Sequence, residues 1–381
     1  MHSIQRDLAD QGFSMLSRRR FATTAGLVAA SSLALQGCTP SGKDDYKEAV
    51  ARIWRPPPRD LSNSALLRRE LVRYATLAPS SHNTQCWKFA LADQSISIFP
   101  DLTRRCPAVD PDDHHLYVSL GCAAENLVQA ALANGLQGEA VFEAAPADVL
   151  KINLQPTQAV ESPLFKAISQ RQCTRNEFDG QAVSAQDLRL LALAAAGKGV
   201  QLLLFTEKPA MEKVLEYVVQ GNTAQMNDPA FVSELKAWIR FNDAEAVRTG
   251  DGLFSRSSGN PSVPRWLASP LFPAFFRTDN ENDKYAKHIR SSSGIAIFVS
   301  DANDKAHWIE IGRSYERFAL QAAALGIRNA FLNQPVEVGS LRPQFASFLG
   351  IGQRRPDLVV RFGRGPEMPR SLRRPIPDVL V

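Results

Sequence analysis

The chain has 381 residues, with 44 Lys and Arg against 39 Asp and Glu and only five cysteines. Basic residues occur as local pairs such as Arg68-Arg69, Arg354-Arg355 and Arg373-Arg374 and form no stripe with interleaved aromatics, which argues against nucleic-acid binding. No Cys-x-x-Cys pair suggests a metal, no Gly-x-Gly-x-x-Gly suggests a dinucleotide fold, and no Gly-x-Ser-x-Gly suggests a serine hydrolase.

In chain order, Ser17-Arg18-Arg19-Arg20-Phe21 precedes a moderately apolar run, Ala22 to Gly37, that ends at Cys38. The run falls short of the roughly 20 apolar residues of a membrane span, so a cleaved export signal is expected over residues 1–37. The arginine pair is similar to a twin-arginine signal, and Leu35-Gln36-Gly37-Cys38 is similar to a lipoprotein box with Cys38 lipidated. The expected location is the periplasm, or a membrane to which lipid on Cys38 attaches the chain after passage through the twin-arginine export machinery. Residues 38–60, with Pro56-Pro57-Pro58, read as a semi-rigid linker.

The globular part then starts near Leu61. Leu67, Leu71, Tyr74, Ala75 and Ala78 recur at helical spacing after Ser62-Asn63-Ser64, and Pro79 ends that helix. Ser95-Ile96-Ser97-Ile98-Phe99 alternates as a strand and is followed by a helix from about His115 to Asn134. His114-His115 reads as a solvated helix-entry pair and not as a ligand cluster. A second set of elements follows: a helix from Ser184 to Ala196 with Ser184-x-x-Asp187 as capping box, the strand Gly294 to Val299, a helix from about His307 to Leu325, and the strand Ile327 to Leu332. Gly121 and Gly135 have the same separation as Gly312 and Gly326, which brings Glu125 into register with Glu316 and Leu127 with Phe318. The sequence thus predicts two tandem copies of one α+β unit, residues 61–160 and 161–381. The second copy carries an aromatic-rich insertion at 242–290, read as a lid or as a peripheral or dimer-forming excursion.

The stretch Ala78-Pro79-Ser80-Ser81-His82-Asn83-Thr84-Gln85-Cys86-Trp87 concentrates hydrogen-bonding side chains in one loop. It resembles the flavin-edge motif of the nitroreductase superfamily, especially its Acg-like branch, with Cys86 where that family usually has proline. Arg171-Gln172-Cys173-Thr174-Arg175 resembles the family's Arg-x-Ser-x-Arg phosphate element, with Cys173 replacing serine. Arg370-Ser371-Leu372-Arg373-Arg374-Pro375 resembles its basic tail. The resemblance implies a nitroreductase-like fold in which two halves form an intramolecular pseudo-dimer around FMN. Pro79, Ser80, Ser81, Asn83 and Gln85 would hold the ring, and Arg171, Cys173, Arg175, Arg373 and Arg374 would hold the phosphate.

The second copy has no Asn-x-Gln element, so its equivalent site is expected to be empty. No side chain need be catalytic, because flavin N5 carries the hydride. The implied function is an FMN-dependent oxidoreductase that reduces a small nitro- or quinone-like substrate, with an unidentified electron donor. The alternative is a flavin-sequestering or storage protein with an occluded site.

Overall fold

A computed structural model describes residues 42–381, except 59, 60, 62 and 147. The signal-like segment and Cys38 therefore lie outside the described residues. The structure is α+β and contains two sheets of the same topology. The chain runs α1 (Gly42–Ile53), α2 (Ser64–Thr76), β1 (Trp87–Leu91), β2 (Ser95–Pro100), α3 (His114–Ala133), β3 (Leu136–Glu143), β4 (Val149–Pro156) and α4 (Pro163–Ala167). It continues with α5 (Ala185–Ala194), β5 (Val200–Phe205), α6 (Lys208–Met226), α7 (Pro229–Trp238), β6 (Ile239–Arg240), α8 (Asp243–Thr249), β7 (Leu253–Phe254), α9 (Arg265–Phe275) and α10 (Thr278–Arg290). Last come β8 (Gly294–Ser300), α11 (Lys305–Ala324), β9 (Arg328–Phe331), α12 (Gln334–Glu337), α13 (Arg342–Leu349), β10 (Pro356–Gly363) and α14 (Ile376–Val379).

The first sheet is ordered β1-β2-β4-β3 and the second β5-β8-β10-β9, so β5, β8, β9 and β10 take the places of β1, β2, β3 and β4. In each unit a long buried helix, α3 or α11, joins the second strand to the third. These two helices pack on each other through the glycines that set the sequence register. A Cβ on Gly121 would lie 2.0 Å from Ile309 O, and one on Gly312 would lie 1.9 Å from Val118 O. The contact is reciprocal, as across a twofold axis, and the missing side chains let the two backbones touch.

The hydrophobic pattern of each second strand follows its surroundings. In β2 only Ile96 and Ile98 are fully buried, because the other face of that sheet meets solvent. Every residue of β8 is buried: Ala296 and Phe298 join the main core, while Ile295, Ile297 and Val299 face a second core with Met211 and Val214 of α6 and Phe345 of α13. Alternation in one strand and a continuous apolar run in the other are thus the one-sided and two-sided versions of the same element.

That second core locates the insertion. Where β1 and β2 are joined by a short hairpin, β5 and β8 are separated by residues 206–293, which hold five helices. The insertion is therefore larger than the expected 242–290, and it is a folded layer over the second sheet. Residues 42–53, expected as part of a linker, form a helix because Tyr46 and Ala49 find an apolar surface on Ala246, Phe254 and Leu372. Ser184 caps α5 by accepting from Asp187 N, but Asp187 turns to Arg364, so the capping box is made on one side only. Cys86, Cys106, Cys122 and Cys173 are free thiols.

Alanine in place of glycine ordinarily favours a helix by about 1 kcal/mol. At Gly121 or Gly312 the new methyl would drive into a facing carbonyl, so Gly121→Ala and Gly312→Ala are each expected to lower unfolding free energy by about 1–3 kcal/mol. Equilibrium denaturation checks this; unchanged or increased stability would show that the helices do not meet there.

Candidate functional site

Pro79 ends α2, and the following loop takes an unusual backbone path: His82, Asn83 and Gln85 have φ of 50°, 53° and 54°. Side chains rarely adopt this left-handed region without support, and the support is visible on both sides of the loop. Asn83 Nδ2 donates to Gly252 O and Leu372 O, and Gln85 Nε2 donates to Gly250 O. Gln85 Oε1 accepts from Arg374 N, and Gly252 N donates back to Asn83 O. The loop is gripped between the insertion at 250–252 and the C-terminal tail at 372–374. Gln85 is 0% exposed, and its carboxamide, expected to meet a ligand, bonds to the backbone at Gly250 and Arg374. Arg374 is likewise turned away, toward Gln85 O and Asp378 O.

Two adjoining chambers open beside this loop and share Pro79, Ser80, Arg175, Leu253 and Phe331 in their walls. The smaller, about 60 Å³, brings together Asn83, Arg171, Cys173, Arg175, Arg370 and Arg373 with Trp54. No Asp or Glu lines it. Arg373 closes the end of α2 by donating to Thr76 O, Leu77 O and Ala78 O and to Asn83 Oδ1, so its charge faces the negative end of the helix. Burial, reinforced by Arg171, lowers its pKa to about 9. Arg171 Nη2 donates to Leu77 O, while its Nε lies 3.2 Å from Glu316 Oε1 without hydrogen-bond alignment. Burial raises Glu316 to about 7 against the pull of Arg171.

Arg370 stacks over Trp54, 4.7 Å from the ring centroid, and its buried Nη1 has no hydrogen-bond partner among the described residues. Arg175 makes no ion pair among them. These two side chains are better placed for an incoming anion than Arg374, which bonds to Gln85 O and Asp378 O. Cys173 reaches this wall because it pairs with Asn329 at the edge of β9.

The larger chamber, about 200 Å³, is lined by Ser81, His82 and His115 and by Gln225, Phe276 and Tyr285 of the insertion. Those insertion residues had no signal beyond the segment's aromatic richness. His115 and His114 are buried, contrary to the solvated pair expected. Asp110 accepts from the amides of His115 and Leu116 and starts α3, and His114 Nε2 lies 2.8 Å from Asp357 Oδ1. Burial, with Arg175 and His115 adding repulsion, lowers His82 to about 4; burial with Arg355 nearby lowers His115 to about 3. Both imidazoles are neutral at pH 7. Glu337, raised by burial to about 7, accepts from Gln225 in the same wall.

The equivalent place in the second unit is closed. Arg317 donates to Ala194 O and Ala196 O at the end of α5, as Arg373 does at the end of α2, and pairs with Glu125. Glu310 and Arg313 complete the cluster, and a Cβ on Gly197 would lie 2.8 Å from Glu310 Oε1. Ion pairs thus crowd the end of α5, where the first unit has its loop and chambers at the end of α2.

The lowered histidines carry a pH dependence of fixed sign. The unfolded chain binds protons at His82 and His115 below about 6.5, whereas the folded chain resists until about 4 and 3, so their contribution to stability is intact above 6.5 and lost as pH falls. Imidazole NMR signals of these two residues are expected not to titrate between pH 8 and about 5. A midpoint near 6.5 for either would place it in water.

No family model matches the chain. Two proteins of Mycobacterium tuberculosis (strain ATCC 25618 / H37Rv) named "Putative NAD(P)H nitroreductase" are similar to it. Rv3131 is 25% identical over 330 residues, 82% of this chain and 90% of the relative. The protein acg is 24% identical over 333 residues, 82% of this chain and 94% of the relative. Among solved structures, a nitroreductase with bound FMN from Desulfitobacterium hafniense DCB-2 aligns at 14% identity and TM-score 0.36, covering 57% of this chain and 97% of its own. The FMN-dependent nitroreductase NfnB from Mycobacterium smegmatis, in complex with NADPH, aligns at 13% and 0.36, covering 53% and 87%. Over most of its length, then, the chain is similar to proteins named as NAD(P)H nitroreductases.

Proposed function

We propose that the chain is an FMN-dependent oxidoreductase of nitroreductase type that acts on a small nitro- or quinone-like substrate, with NAD(P)H as donor class. The observation that carries this reading is the pairing of the two chambers. One is cationic, has no carboxylate in its lining and holds on Arg370 a guanidinium nitrogen without a partner among the described residues, as a phosphate group requires. The other offers apolar and aromatic walls with a few carboxamides, as a flat ring with one polar edge requires. The donor set fits FMN. When bound, FMN supplies the hydride-accepting and hydride-donating atom N5. Arg370, Arg171 and Arg175 would hold the phosphate end, Pro79, Ser80 and Ser81 would abut the ring, and Asn83, Gln85, Arg373 and Arg374 hold the loop in its strained form. Phe276 and Tyr285 from the insertion exclude water. The relatives' names support the assignment of donor class. The arginine pair and the run ending at Cys38 support export by the twin-arginine machinery with lipid on Cys38.

Denatured protein is expected to release one FMN per polypeptide, because the equivalent place in the second unit is filled by ion pairs. A ratio near two, or release of FAD, would reject the single site. Arg370→Ala is expected to weaken FMN binding by about 1.5–3 kcal/mol, as for a charge-assisted hydrogen bond, and Arg374→Ala by much less. Equal effects in fluorescence titration would return Arg374 to the phosphate.

The second reading, a storage protein with little turnover, is favoured by one observation: the insertion itself walls the larger chamber. Anaerobic mixing with NADPH separates the two. A reductase bleaches its flavin absorbance within about a second, in keeping with ordinary turnover of about 10 s⁻¹. Bleaching over many minutes would establish the occluded site.

A further inference from the structure

Helix α9 lies on the outside of the insertion, and its two faces are unlike. Inward, Phe272 is buried and packs on Phe241 and Phe276. Outward, Trp266, Leu267, Pro270, Leu271 and Ala274 recur at helical spacing and are all exposed, Trp266 to 77%. A soluble helix ordinarily turns charged or polar residues to water, and a contiguous exposed apolar face marks an interaction surface.

The charge around it selects the partner. From Gly252 to Thr278 there is no Asp or Glu, and Arg256, Arg265 and Arg277 are the only charged residues. Arg265 and Arg277 bracket the apolar helix at either end. Lys236 of α7 reaches its backbone at Ser269. An apolar face led by tryptophan and framed by arginines suits the boundary layer of an anionic bilayer, where the indole and guanidinium groups sit among headgroups and the leucines among acyl chains. Arg265 is paired with Glu245 within the insertion, which leaves Arg277 as the end of the helix without an ion pair among the described residues.

Chain connectivity agrees. The apolar run before Cys38 leads into α1, and α1 packs on α8, the helix whose Glu245 also holds Arg265 at the start of α9. The N-terminal segment therefore enters the fold on the same insertion that presents the apolar helix.

We propose that α9 is a membrane-contact helix, which seats the insertion on an anionic phospholipid surface. A surface groove lined by Met226, Val232, Phe272 and Phe276 runs beside it, and Phe276 is also a wall of the larger chamber.

The test uses the full chain and vesicles of phosphatidylglycerol and phosphatidylcholine whose acyl chains carry bromine, a short-range quencher of indole fluorescence. Wild-type fluorescence is expected to fall relative to unbrominated vesicles, and Trp266→Phe is expected to remove most of that fall. The readout is local to Trp266, so attachment through the N-terminal segment alone does not produce it. L267E combined with L271E keeps the reporter and is expected to abolish its quenching. Equal quenching in wild type and Trp266→Phe would overturn the proposal. So would a Trp266 that is already shielded without vesicles, whether by a second copy, seen as doubled mass, or by the chain's own N-terminal segment, seen in a monomer. Quenching as strong on purely zwitterionic vesicles would overturn the assignment to an anionic surface.

Discussion

Two helices that touch backbone to backbone set the geometry of everything else. Because Gly121 and Gly312 have no side chains, α3 and α11 approach until a carbonyl of each lies against the glycine of the other, and each helix carries its own sheet into place. The loop after α2 belongs to one unit, Arg171 reaches Glu316 of the other, and the tail with Arg370 and Arg373 returns from β10 of the second unit to the end of α2. Their meeting point is therefore fixed by that crossing. Widening it by one methyl would separate the two halves of the site as well as loosening the core.

The site gathers buried positive charge, which is costly unless carbonyls or carboxylates answer it. The free carbonyls at the end of α2 take Arg373 and one arm of Arg171, and Glu316 stands near the other arm. Arg370 and Arg175 are left without a carboxylate. The arrangement is thus stable as a scaffold while its open side stays electropositive. The neutral state of His82 and His115 keeps further positive charge out of the adjoining chamber.

The elements predicted for the two copies were legible because periodicity states them directly. Helix α2, with its Asn63 cap, and the strands β2 and β8 lie where spacing and alternation put them. The insertion's extent was not legible, because β5 and β8 form a pair only after residues 206–293 have folded away from between them, and no local signal marks such a hairpin. The loop lines both chambers of the candidate site, but the contacts of its individual residues were not legible. Sequence shows that Gln85 and Arg374 are polar, and only the folded chain shows that they bond to each other. Arg370 was within the recognised tail, yet its distinction depends on Trp54, more than 300 residues away. The burial of His114 and His115 did have a signal. The helix they open is apolar on nearly all sides, the mark of a core helix, which outweighs the usual solvation of a polar helix start.

The covalent union of the two units has an evolutionary consequence. In an assembly of identical subunits, every substitution appears twice, so a change that improves one site is imposed on its twin. Here each half answers for its own sequence. One half holds a strained loop and an electropositive hollow, while the other sets Glu310, Arg313 and Arg317 around Glu125. The linkage also fixes the local concentration of one half around the other, so the site does not dissolve on dilution as one shared between separate chains would. Asymmetry of this kind is open to a fused pair and closed to a symmetric one.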